Sequence, residues 1–267
     1  MLSRVSLDTV CASLAYAMGI NAPENAALPS EALCSYIDSA LSGRRAMRVF
    51  MYNPDAIAEW IYQKHAELFV DLLRKDMLEL PIETVMPSVT PVCFGTMYTG
   101  AQPSVHGITS YTKPVISIDT LFDALIRSGK RPAIVSTAGD SMSKIYLDRD
   151  MDYFFYDTID EVNAKAAELI ASDKHDFIAV YNGNYDSTMH KTGTESEEAL
   201  CALKANIQAF CDFRVLIEKA WSTHDALIGF AMDHGCHDID GGCGSHGLDM
   251  DEDINIVHLY QAMPAEN

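Results

Sequence analysis

The chain has 267 residues, with 19 Lys and Arg against 38 Asp and Glu, a formal net charge of −19 and a pI near 4.6. So acidic a protein, with no basic cluster, is a poor partner for nucleic-acid polymers, whose binding needs cations to neutralise phosphates, and for an anionic membrane surface. Its 48% hydrophobic and 21% charged residues exclude disorder and suit one large α/β domain or two small ones.

In chain order, Met1 to Ile20 reads as an amphipathic helix rather than a signal peptide, because Asp8 interrupts its mildly apolar stretch. A loop rich in Asn, Pro and Ala follows, and Ser30 caps a second helix that runs to Leu41. Residues 1–45 thus form an N-terminal helical segment, and 46–267 form the main domain. Met47–Tyr52 is a short apolar run of strand length, and a long helical pattern covers Asp55 to about Leu78. An extended piece runs from Leu80 to Met86, a helix follows Thr90, and a loop rich in Gly, Pro and Ser fills 99–110.

Helices are predicted over Asp119–Ser128, Ile159–Ser172 and Ser196–Trp221. Strands are predicted over Pro132–Ser136, Tyr153–Tyr156, Phe177–Tyr181, Ala226–Met232 and Asn255–Tyr260. Apolar strands without polar alternation, separated by helices, imply a doubly wound α/β fold: a mostly parallel sheet with helices on both faces. No apolar run approaches the roughly 18 residues of a membrane span. Seven scattered cysteines, an odd number, suit reduced thiols in a cytoplasm better than a disulfide framework.

Ligands of open α/β sheets bind beyond the carboxyl ends of the strands, so the residues just after each strand matter most. Those are Asp55 after Asn53-Pro54, Thr90 after the 80–86 piece, Asp186 and His190 after Tyr181, and Asp233-His234-Gly235, with His237 and His246 further on. Asp and neutral His are zinc ligands, and they serve manganese or iron with less selectivity. If a helix begins after Asn182, Asp186 and His190 lie four apart on one face and can share an ion. The glycines of Gly241–Gly247 let the backbone return His246 to the site. Taken singly, each has a plainer reading: Asp55 as a helix cap, Asp186 and His190 as an exposed helix pair, Asp233–Gly235 as a turn. Thr90 is either a nucleophile or an N-cap followed by Pro91, with a helix N-terminus aimed at its hydroxyl. Cys236, His237, Cys243 and His246 offer a rival reading as a structural zinc site, though their spacing is irregular.

The stretch Met86 to Ile108 (MPSVTPVCFGTMYTGAQPSVHGI) resembles the nucleophile region of the alkaline phosphatase superfamily. It is closest to the type I phosphodiesterase/nucleotide pyrophosphatase branch, which includes phosphonoacetate hydrolase. Thr99-Gly100 stands nine residues after Thr90, and Pro103-Ser-Val-His106-Gly-Ile follows. The branch's later motifs resemble Asp186-Ser-Thr-Met-His190-Lys-Thr-Gly193, Asp233-His234-Gly235 and Gly244-Ser-His246-Gly247, in the family's order. The resemblance implies two divalent ions, usually zinc: one held by Asp186, His190 and His246, the other by Asp55, Asp233, His234 and the Thr90 oxygen. Asp55 stands in Asn-Pro-Asp-Ala, where the branch has Asp-Gly. His106 and His237 receive no ligand role. Cys93 holds a place where the branch commonly has a phosphoryl-binding Asn, with Asn182, Asn184 or Lys113 as substitutes.

The implied activity is hydrolysis of small phosphate esters, of the phosphodiester or nucleotide pyrophosphatase type, through a phosphothreonine on Thr90. The alternatives are a phosphomonoesterase, a phosphonate C–P hydrolase of the same superfamily, or a catalytically silent metal-binding domain. A sulfatase is disfavoured, because no Cys/Ser-x-Pro-x-Arg pattern lies near Thr90.

Overall fold

The computed structural model describes residues 3–74 and 76–266. Strand β1 (Val5–Ser6) leads into α1 (Thr9–Ala17) and α2 (Glu31–Ala40), whose N-cap Ser30 accepts the Leu33 amide at 3.3 Å. Helix α1 is buried on nearly every side, at Val10, Cys11, Ala12, Ser13, Leu14, Ala15 and Ala17. It is therefore a core helix and not the amphipathic one expected, because α2, α4 and α6 all pack around it. Met1 and Leu2 lie outside the described residues.

Strand β2 (Arg48–Pro54) occupies the middle of the sheet. The continuous helix expected over 55–78 does not form. Helix α3 covers only Glu59–Lys64, a single 3₁₀ turn spans Ala66–Phe69, and β3 begins at Leu78 (Leu78–Glu83). Past the 3₁₀ turn the chain is held by tertiary contacts: the buried Arg214 guanidinium donates to the carbonyls of Asp71 and Leu72, taking acceptors that a helix would use for itself.

Helices α4 (Thr90–Thr99) and α5 (Pro103–His106) precede α6 (Leu121–Arg127), so the expected 99–110 loop holds a helical turn. Strand β4 (Pro132–Thr137), α7 (Met142–Ile145), β5 (Asp152–Tyr156), α8 (Ile159–Ser172) and β6 (Phe177–Asn182) follow. Then come α9 (Asn184–Thr192), the long α10 (Glu197–Ala220) and β7 (Ala226–Phe230). A small ribbon of β8 (His237–Ile239) and β9 (Cys243–Ser245), helix α11 (Asp251–Ile254) and β10 (Asn255–Met263) complete the order.

Eight strands form one sheet in the order β1-β3-β10-β7-β2-β6-β4-β5. Only β10 runs against the others, pairing antiparallel with both β3 and β7. Alternation along β2 shows that both faces are covered. Tyr52 packs on Phe210 and Phe213 of α10, while the next residue, Asn53, accepts the Tyr98 hydroxyl of α4 at 2.7 Å on the other side. The fold is thus the doubly wound, mostly parallel α/β sheet that the strand pattern implies. Residues 3–45 share this core: β1 pairs with β3 and α1 packs on α4. No helix among the described residues is long and apolar enough to cross a membrane.

Candidate active site

The carboxyl ends of β2, β6 and β7 deliver Asp55, the α9 pair Asp186 and His190, and Asp233-His234 to one edge of the sheet. The β8–β9 ribbon carries His246 back to it. The ligand atoms fall into two groups: Asp186, His190 and His246, and the buried set Asp55, Asp233 and His234. Within each group they lie within 4.8 Å of one another. The His234 and His246 rings stack with centroids 4.0 Å apart, so the groups are neighbours. Thr90 Oγ1 sits 3.4 Å from both Asp55 Oδ2 and His234 Nε2.

The three imidazoles are held in one tautomer. Nδ1 of His190, His234 and His246 meets the carbonyls of Gly244, Gly235 and Ser88 at 2.9, 2.9 and 3.0 Å. A carbonyl can only accept, so each Nδ1 carries a proton and each Nε2 is turned inward, where the neutral ring offers a lone pair. Those lone pairs meet oxygens. His234 Nε2 lies 3.3 Å from both Asp55 Oδ1 and Asp233 Oδ2, and Asp186 Oδ1 lies 3.1 and 3.3 Å from Nε2 of His190 and His246. These three carboxylate oxygens are buried and accept no hydrogen bond. Lone pairs facing unpartnered carboxylates repel unless a cation or protons lie between them.

Without metal, the ionisation of the site favours a proton in each of these gaps. Burial, with help from Asp186, pushes the Asp55 carboxyl up to about 7, and burial beside Asp55 carries Asp233 well above its ordinary value. Burial holds His234 well below the usual imidazole range, so it stays neutral. Asp186 raises His190 and, against the opposing effect of burial, His246, while its own carboxyl is held low by the two rings. The donor set fits divalent metal in both groups: two carboxylates with one imidazole, and one carboxylate with two.

Other expectations change. Thr90 is not an N-cap. Val89 holds that place, Thr90 is the first helical residue, and its hydroxyl turns to Asp55. Nor does α4 aim a cluster of free amides at the hydroxyl, since Val92 and Cys93 both donate to the Val89 carbonyl at 3.0 Å and Pro91 has no N–H. The four-residue zinc reading fails: Cys236 packs against the Tyr185 hydroxyl, Cys243 points to the Lys191 carbonyl, and His237 binds Asp253. Cys93 is buried beside Thr84, and burial with Asp233 nearby pushes its thiol far up, so it is inert. His106 is structural. Its Nε2 meets Thr96 Oγ1 at 3.0 Å, its Nδ1 accepts the Ile108 amide, and burial lowers it to about 4.

Of the proposed substitutes for the missing Asn, Asn182 donates to the Tyr52 hydroxyl and accepts the Asn184 amide, and Asn184 accepts from Asn206. Asn182 is committed to the fold, and Asn184 keeps only its side-chain amide N–H free, at the edge of a cavity. Lys113 lines this cavity of about 250 Å³, together with Tyr111, Tyr181, Gly183, Asn184 and Asp186, and it is the single basic side chain there. Tyr181 joins this cavity to the candidate ligand groups, because its hydroxyl donates to Asp55 Oδ2. Sequence reasoning missed Tyr181, whose place at the end of a buried strand looks like any core aromatic.

Residues 52–115 match the family type I phosphodiesterase / nucleotide pyrophosphatase. No curated protein matches the chain in sequence. Solved structures share its fold. Phosphonoacetate hydrolase from Sinorhizobium meliloti 1021 in complex with phosphonoformate is 19% identical over 76% of this chain and 61% of that one, with a TM-score of 0.52. The C-terminal periplasmic domain of phosphoethanolamine transferase EptC from Campylobacter jejuni is 12% identical over 82% and 80%, at 0.58. An inactive form of murine ectonucleotide pyrophosphatase / phosphodiesterase 5 in complex with AMP is 14% identical over 73% and 59%, at 0.54. The chain therefore spans about three fifths of the hydrolase and of the murine protein.

Proposed function

We propose that this chain, with its alkaline phosphatase-like fold and its type I phosphodiesterase segment, is a two-metal hydrolase of phosphate esters that uses Thr90 as nucleophile. The observation that carries the reading is the position of the Thr90 hydroxyl, 3.4 Å from Asp55 Oδ2 and His234 Nε2, beside three buried carboxylate oxygens that lack any donor. Asp186, His190 and His246 would hold one divalent ion, and Asp55, Asp233, His234 and the Thr90 oxygen the other, with zinc favoured and manganese or iron as alternatives. When bound, the ions supply positive charge that lowers the pKa of the Thr90 hydroxyl and offsets charge on the phosphoryl oxygens.

The chain's own residues do the rest. Thr90 Oγ gives its proton to solvent and attacks phosphorus, the P–O bond to the leaving group breaks as the new one forms, and the leaving oxygen departs with a proton from solvent. Water then cleaves the phosphothreonine, releasing phosphate or a phosphomonoester and restoring the hydroxyl. Asp55 and His234 keep the hydroxyl oriented, and the fixed tautomers of His190, His234 and His246 require no rearrangement on binding.

The family match favours a phosphodiester or pyrophosphate substrate. A specific observation favours a second reading, a phosphomonoester or phosphonate: the cavity of about 250 Å³ is smaller than typical small-molecule pockets and carries one cation, Lys113. The seven unpaired thiols support a reducing compartment as its place of action. Elemental analysis of the purified chain, with parallel assays of a phosphomonoester, a phosphodiester and a phosphonate, tests the proposal. Two equivalents of metal and turnover of one ester class are expected. Thr90→Ala should lower turnover by on the order of 10³-fold or more with metal content unchanged. Near-normal turnover of that variant overturns the nucleophile, and metal without turnover on any ester makes the chain a silent binding domain.

A further inference from the structure

His237 lies three residues past His234 but in neither metal group, and the residue it binds is unusual. Asp253 of α11 is completely buried, yet every acceptor it offers is used. Its Oδ1 takes the His237 Nδ1 proton at 2.6 Å, its Oδ2 takes the Leu248 amide at 2.8 Å, and its backbone carbonyl takes the Gly235 amide at 2.8 Å. Those three donors come from the two loops that carry metal ligands of different groups. Gly235 and His237 follow closely on Asp233-His234, and Leu248 lies two residues past His246.

The surroundings tighten the same joint. The backbone of α11 presses so closely on the turn that a Cβ at Gly235 would lie 2.1 Å from the Glu252 carbonyl oxygen, so this approach requires glycine. The next residue, Ile254, accepts the Thr84 amide at 2.8 Å, and the Thr84 hydroxyl donates to the Asp233 carbonyl at 2.7 Å. His237 also pairs across the ribbon with Ser245, the neighbour of His246. One carboxylate thus ties the Asp55-Asp233-His234 group to the Asp186-His190-His246 group.

We infer that Asp253 is a positioning residue that fixes the spacing of the two metal groups, with His237 as its relay. It touches neither substrate nor metal; it sets where His234 and His246 stand with respect to each other. The inference rests on the two-metal reading above. Loss of a group that orients metal ligands costs about 10- to 100-fold in metal affinity, and here the loss should fall on both sites together, because the carboxylate braces both loops.

The test is zinc titration of the metal-free full chain, wild type against Asp253→Ala, Asp253→Asn and His237→Phe, at temperatures where each gives the wild-type circular dichroism spectrum. Asp253→Ala should weaken both zinc sites by about 10- to 100-fold. Asp253→Asn, whose amide can still accept from Leu248 and donate to the other tautomer of His237, should recover most of that loss. His237→Phe should weaken chiefly the site of Asp233 and His234. A merely structural role would lower the melting temperature of the metal-free chain but leave the zinc affinity of the folded variants unchanged, and that result overturns the inference. If Asp253→Ala does not fold, the His237→Phe titration carries the decision. A wild-type chain that takes up no zinc overturns the two-metal reading and this inference with it; normal wild-type uptake with undiminished affinity in the variants overturns the inference alone.

Discussion

Replacing Asp55 by Asn should make the metal-free protein more stable while removing metal from the deeper site. Asp55 is buried, its Oδ1 faces the lone pair of His234 Nε2 at 3.3 Å, and nothing donates to that oxygen. Burial, reinforced by Asp186, raises its pKa from 3.8 to about 7. A folded-state value above the unfolded one means that the folded protein holds this proton longer. Stability of the metal-free chain therefore falls as the pH rises from near 4 to near 7 and then levels off. A separation of about 3 pH units, at about 1.4 kcal/mol each, puts the loss at about 4 kcal/mol above pH 7. Asn carries no charge to desolvate, can still accept from Tyr181, and offers an N–H to the His234 lone pair. At pH 8, without metal, Asp55→Asn should melt roughly 8–16 °C above wild type, at about 2–4 °C per kcal/mol for a chain of this size. With saturating zinc the order should reverse, because wild type gains the binding free energy of a second ion and the variant does not. Calorimetry with chelator and with zinc reads both arms. A variant that melts no higher than wild type without metal, and takes up the same two equivalents of zinc, would refute the assignment of Asp55 as a ligand.

Lys113→Met should raise KM for substrates with a second anionic group by tenfold or more, since a hydrogen bond to a charged group is worth about 1.5–3 kcal/mol. Its kcat should be largely kept, and an unchanged KM across anionic substrates would remove Lys113 from the site. Gly95→Ala places a Cβ 2.7 Å from Cε1 of His106, a ring already pinned by Thr96 and Ile108. It should cost about 1–3 kcal/mol and lower the melting temperature without altering metal content; an unchanged melting temperature would show that the ring can move. Metal uptake itself should weaken as the pH falls below about 7, where protons compete for Asp55 and for the imidazoles. Uptake that is flat between pH 5 and 8 would contradict this.

The charge of −19 does not argue against phosphate chemistry once the site is considered by itself. In the proposed two-metal site, two divalent ions against Asp55, Asp186 and Asp233, with neutral imidazoles, would leave a net local charge of about +1, and bound ions dominate the field of a site. The surplus carboxylates elsewhere bear on how fast an anionic substrate approaches more than on whether it binds.

Much of this site is legible in the sequence because its elements are local. Asp186 and His190 share a helix face through their spacing alone, Asp233-His234-Gly235 is contiguous, and apolar runs of strand length place each residue at a strand end. The type and order of the donors, and the parallel sheet beneath them, follow from that. Tertiary structure decided what depends on partners distant in sequence. The helix expected over 55–78 ends at Lys64, and the segment after it is tied down by Arg214, which takes the carbonyls of Asp71 and Leu72, 143 and 142 residues away. The Ser88 carbonyl chose the tautomer of His246 from 158 residues away, and Tyr181 reached Asp55 across 126. The role of Asp253 was invisible for the same reason: an Asp in an acidic stretch looks like solvated surface until its neighbours in space bury it. Chain spacing sets which groups one element can offer. Only packing sets which way their lone pairs point and which oxygens are left without a donor, and on those oxygens the metal reading rests.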